Sequence, residues 1–177
     1  MASFGNRSPA SGGSRRGLKL WPILLFGAYF AWYYFSHSDQ ASYTGRKQLI
    51  DTSTQEEAAL GLQSYREILS QSQVVTSGPL PKQVKDIAAR LIEAAPKVEK
   101  YLADTQGMPS KTDWSAYQWD VSVIQSDQVN AFCLPGGKMA VYTGLIPVAK
   151  NEDGLAVVMG HEIAHALLRH GGERMAQ

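Results

Sequence analysis

A chain of 177 residues holds one ordinary domain with a hydrophobic core and is too short for two large ones. Its 17 Lys and Arg against 16 Asp and Glu leave a net charge of +1, so no global field favours nucleic acid and any specificity belongs to a local site. The one cysteine, Cys133, excludes an internal disulfide and a cysteine-rich zinc module.

The charge is unevenly placed. Arg7, Arg15, Arg16 and Lys19 precede any acid, and the first carboxylate is Asp39. Residues 1–17, rich in Ser, Gly and Arg, have almost nothing to bury and read as a disordered cytoplasmic tail. Residues 18–35 follow as a transmembrane signal anchor, uncharged from Leu20 to Phe35. A helix over that run reaches roughly 24 Å at about 1.5 Å per residue, short of a bilayer core of about 30 Å. Trp21 at one end and Trp32, Tyr33 and Tyr34 at the other suit the two headgroup levels and extend the span. The positive flank keeps the tail in the cytoplasm and exports everything after Ser36. Competing readings are a cleaved signal peptide ending near Ser36-His37-Ser38, a twin-arginine signal at Ser14-Arg15-Arg16, and a buried core helix, which would waste the aromatic ends and the basic flank.

Residues 36–53 read as a polar stalk. Thr54-Gln55-Glu56-Glu57 has a capping-box pattern that opens a helix, with Ala58, Leu62, Tyr65 and Leu69 on one face. Pro79 and Pro81 break the chain. A second helix carries Val84, Ala88, Leu91, Ala95, Val98 and Leu102 on one stripe, with a kink expected at Pro96. Between Ala116 and Ile124 the period changes: Trp119, Val121 and Val123 alternate with Asp120 and Ser122, as in a half-buried strand. Residues from Gln128 to Leu134 and from Lys138 to Thr143 predict two more strands, joined as a hairpin through Pro135-Gly136-Gly137. Asn151, Glu152 and Asp153 cap a last helix expected to run to about Arg169, with Gly171-Gly172 as its stop.

That last helix contains His161-Glu162-Ile163-Ala164-His165. Positions four apart share a helix face, so both imidazoles can meet one cation, and zinc takes neutral imidazole nitrogen readily. Glu162 is then placed to take a proton from an attacking water. The motif is short, and histidines satisfied within the core are the alternative. Leu155, Val158, Ile163 and Leu167 surround the polar trio, which a solvated surface helix does not explain.

Three stretches in order, Thr44-Gly45-Arg46-Lys47-Gln48-Leu49, Val129 to Ile146 and Asn151 to Gln177, resemble zinc metallopeptidases related to HtpX and the CAAX prenyl proteases, in their membrane-anchored Oma-like branch. The resemblance implies an α+β, gluzincin-type catalytic domain, with residues 54–177 its N-terminal part. It implies one zinc ion held by His161 and His165, Glu162 as catalytic base, and a third ligand, a glutamate on a helix well downstream of the motif. Glu173 lies beyond the predicted stop, and His170 is expected on another side of the helix near exposed carbonyls, so neither replaces that ligand. The chain is accordingly expected to be truncated before it. Asn130, Ala131 and Phe132 fall on the strand edge expected to hold a peptide substrate by strand addition. Cys133 is either an inhibitory thiolate ligand or, the preferred reading, a small apolar strand residue. The activity implied is peptide-bond hydrolysis in misfolded or membrane-associated polypeptides, at a bacterial inner membrane with the catalytic part facing the periplasm. The alternative is a non-catalytic, chaperone-like membrane module of the same fold.

Overall fold

A computed structural model of the chain describes residues 38–40, 43–44, 47–49 and 53–171. The predicted tail and anchor lie outside the described residues, among which no helix is long and apolar enough to cross a membrane. Within the predicted stalk, β1 (Ser38–Gln40) and β2 (Lys47–Leu49) form an antiparallel ribbon.

The first long helix, α1 (Thr54–Ser70), opens one residue earlier than the capping pattern suggests. Ser53 is the cap: its Oγ accepts from the Glu56 amide at 3.1 Å, and Glu56 Oε2 accepts from the Ser53 amide at 2.8 Å. Glu57 is thereby released from capping, and the buried face becomes Glu57, Gly61 and Tyr65. The face predicted from Ala58, Leu62, Tyr65 and Leu69 is rotated accordingly.

Gly61 lies where α1 crosses the hairpin turn, so close that an added Cβ would collide with the Pro135 carbonyl oxygen. In an open helix Gly61→Ala would gain about 1 kcal/mol of helix propensity. Here the added carbon meets the Pro135 backbone, and overpacking costs about 1–3 kcal/mol. The substitution is therefore expected to lower the urea midpoint of unfolding; a raised midpoint would contradict this contact.

Pro79 and Pro81 begin the second helix, α2 (Pro79–Gln106), because amides in the first turn have no intrahelical acceptor to lose. The helix continues through Pro96 and ends at Gly107, whose φ is 64°. Its buried stripe is Val84, Ile87, Ala88 and Ala95, then Glu99; Val98 remains 46% exposed, contrary to the predicted stripe. The Glu99 carboxylate is satisfied where it is buried, accepting from the Thr112 amide (3.1 Å), Thr112 Oγ1 (2.7 Å) and Trp114 Nε1 (3.0 Å).

Strand β3 starts at Asp120 (Asp120–Ile124) rather than Ala116, because Trp114–Ala116 forms a single 3-10 turn. The expected hairpin is present: β4 (Ala131–Leu134) pairs antiparallel with β5 (Lys138–Tyr142). Gly136 and Gly137 turn it with φ of 78° and 80°, a region open to glycine. Strand β5 also pairs parallel with β3, giving a mixed sheet in the order β3-β5-β4. A 3-10 turn at Thr143–Leu145 and the short helix α3 (Ile146–Ala149) lead to α4 (Glu152–Leu167).

Alternation along the strands divides the apolar side chains between two layers. Val121, Val123, Met139 and Val141 join Val84, Ile87, Leu155, Met159 and Ile163 in one core, under α2 and α4. Ile124 and Ala140 join Tyr65 in the other, under α1. The result is an α+β arrangement, helices on both faces of a small sheet, with α4 packed against β4.

Candidate active site

Helix α4 starts where Asn151 Oδ1 accepts from the Gly154 amide at 2.8 Å, with Glu152 and Asp153 in the first turn. Leu155, Met159, Ile163, Ala166 and Leu167 face the core. That anchoring leaves the motif on the neighbouring face, with His161 exposed and Glu162 and His165 half-buried. The two Nε2 atoms lie 2.9 Å apart and the rings are perpendicular, with centroids 4.5 Å apart. Two imidazole nitrogens this close together can meet one cation, and zinc takes neutral imidazole nitrogen. Among the described residues no group of three or more His, Cys, Asp or Glu is arranged to hold a metal.

The helix ends earlier than expected, at Leu167, with the reversal at Arg169 (φ 54°) rather than at Gly171-Gly172. This turn overrides the helical projection that sends His170 to another side. His170 Nδ1 lies 2.6 Å from His165 Nδ1, with ring centroids 4.8 Å apart. His170 thus meets the side of the His165 ring opposite to the Nε2 that faces His161.

The same turn is fastened to α1. Arg169 Nη2 donates to Glu57 Oε1 at 2.7 Å and Nε to Oε2 at 3.3 Å. Glu57 is 2% exposed and Arg169 21%. Tyr117 Oη donates to the Ala166 carbonyl at 3.2 Å, satisfying an acceptor in the last turn of α4. None of Glu57, Arg169 or Tyr117 is marked as part of the site by its own neighbourhood in sequence. The one available signal is that Glu57, Gly61 and Tyr65 recur every fourth residue, placing a charge on a core stripe.

A cleft of about 280 Å³ runs beside the motif, lined by Glu162, His165, Arg169 and His170 on one side and by Cys133, Leu134 and Pro135 on the other. Burial, with the Glu162 carboxylate adding to it, pushes the Cys133 thiol up to about 12. It is therefore a thiol at neutral pH and packs against the main core, as the apolar reading expects. Strand β4 is one of the two outer strands of the sheet. Ala131 packs on the α4 side, whereas Phe132 turns to the α1 side, edge-on to Tyr142 with centroids 6.2 Å apart. Asn130 is exposed and its carbonyl accepts from the Tyr142 amide at 3.1 Å.

The sequence profile of peptidase family M48 matches residues 95–177. The chain is 32% identical over 162 residues to the mitochondrial metalloendopeptidase OMA1 of Saccharomyces cerevisiae, covering 87% of this chain and 44% of that protein. It is 29% identical over 161 residues to mitochondrial metalloendopeptidase OMA1 of Homo sapiens, covering 87% and 28%. A putative beta-barrel assembly-enhancing protease of Vibrio cholerae is 30% identical over 115 residues, covering 64% and 20%. The chain spans less than half the length of these curated relatives. The matched segment contains the histidine motif, its helix and the hairpin beside it, so residues 95–177 carry a peptidase family M48 domain, and the chain is similar to the OMA1 metalloendopeptidases.

Proposed function

We propose that the protein is a zinc-dependent metalloendopeptidase that cleaves misfolded or membrane-associated polypeptides in protein quality control. The observation that carries this reading is the convergence of His161 Nε2 and His165 Nε2 to 2.9 Å, beside the cleft that Glu162 lines. His161 and His165 would hold the cation, and the family resemblance implies a glutamate as the third protein ligand. Zinc, when bound, polarises the scissile carbonyl and acidifies water. Glu162 takes the proton of the attacking water and returns it to the leaving amine. The outer strand β4 supports binding of an extended peptide by backbone pairing along Asn130, Ala131 and Phe132. Because Phe132 turns toward α1, its backbone rather than its ring would meet the peptide.

The basic flank and the aromatic-ended run support a cytoplasmic tail over 1–17, one span over 18–35, a stalk over 36–53, and a catalytic region from residue 54 facing the periplasm of a bacterium. Purified natural full-length protein is expected to cut an unfolded substrate such as reduced casein. Cleavage should be lost after metal removal with 1,10-phenanthroline and regained with zinc. Cleavage indifferent to the chelator would overturn the reading, and a folded, zinc-supplied protein that cuts nothing would favour the non-catalytic, chaperone-like module.

A further inference from the structure

We propose that His170 is a positioning residue that holds His165 in the tautomer able to bind metal, an inference that rests on the metallopeptidase reading. A neutral imidazole has one N–H and one lone-pair nitrogen, and the hydrogen bond at one nitrogen sets what the other can do. His165 directs Nε2 toward His161 and Nδ1 toward His170, at 2.9 and 2.6 Å. For Nε2 to serve as a ligand the His165 proton must sit on Nδ1. His170 Nδ1 is the acceptor that keeps it there, with the His170 proton on Nε2. The reverse assignment would leave the proton of His165 on the atom that should meet the cation.

The acceptor is held in place by the chain reversal. Arg169, immediately before it, has φ 54° and a guanidinium fastened by two bonds to the buried carboxylate of Glu57. A helix continued through Arg169 would carry His170 off this face. The positive φ is thus part of how the second histidine of the motif is oriented.

The test compares His170→Ala, His170→Asn and His170→Gln in natural full-length protein. Zinc affinity is read by chelator competition, and ligand geometry by the visible spectrum of the cobalt(II) form. Asn places its Oδ1 at the same bond count from the backbone as histidine Nδ1, whereas Gln places its oxygen one bond further out. Removing an outer partner of a metal-binding histidine weakens affinity about 10- to 100-fold. His170→Ala and His170→Gln should show that loss and an altered cobalt spectrum. His170→Asn should recover most of the affinity with the wild-type spectrum, while circular dichroism reports the same helix content for all three. Wild-type affinity in His170→Ala, or equal losses in all three variants, would overturn the proposal while leaving zinc binding by the parent protein intact. Failure of the parent to bind zinc would instead overturn the metallopeptidase reading, and this inference with it.

Discussion

Glu162→Gln in the full-length protein is expected to keep its zinc and lose peptidase activity by on the order of 10²- to 10⁴-fold, the range that a positioned general base contributes. The amide has nearly the shape of the carboxylate, so the half-buried position of Glu162 and the cleft it lines should persist. What disappears is the site that receives the proton. His161→Ala and His165→Ala should lose the metal itself, since each removes one of the two converging nitrogens. Metal content and cleavage of an unfolded substrate, measured on the same preparations, separate the two roles. Full activity in Glu162→Gln would remove Glu162 from the mechanism, and stoichiometric zinc in His165→Ala would remove that ligand.

Arg169→Ala is expected to cost about 3–5 kcal/mol of stability, the range for removing one partner of a buried ion pair. The carboxylate of Glu57 is 2% exposed and receives both guanidinium bonds, so the substitution takes two charge-assisted bonds from a desolvated carboxylate. Arg169→Gly loses the same bonds, but glycine tolerates the φ of 54° at less cost, and it should be about 1–2 kcal/mol less damaged than Arg169→Ala. Glu57→Leu combined with Arg169→Met removes both charges together and should recover much of the loss. Urea unfolding of the four proteins measures these differences. A change below about 0.5 kcal/mol in Arg169→Ala, typical of a surface substitution, would show that the pair does not hold the end of α4 to α1.

The placement of the candidate trio on one helix was legible because its geometry is local. Four residues along an α-helix bring His161 and His165 together wherever that helix forms, and Asn151 with two acids marks where it starts. The hairpin was legible for the same reason: alternation on both sides and two adjacent glycines that accept positive φ define β4 and β5 without reference to the rest of the chain. Capping competition was less so, since Ser53 and Thr54 both precede a glutamate at the right distance and only burial of Glu57 on α1 separates them.

What the amino-acid sequence determined by itself was therefore the short-range chemistry: the histidine pair, the helix that presents it, the turn beside it and the zinc-peptidase resemblance. The tertiary structure decided the surroundings. Burial of the Glu57 carboxylate calls for a cation, and the matching guanidinium lies 112 residues away on Arg169. Meeting it ends α4 at Leu167, in a conformation that no helix propensity anticipates, and brings His170 back onto His165. Side-chain periodicity reports which face of a segment turns inward. It carries no information about which distant partner waits there, because that depends on how the layers stack.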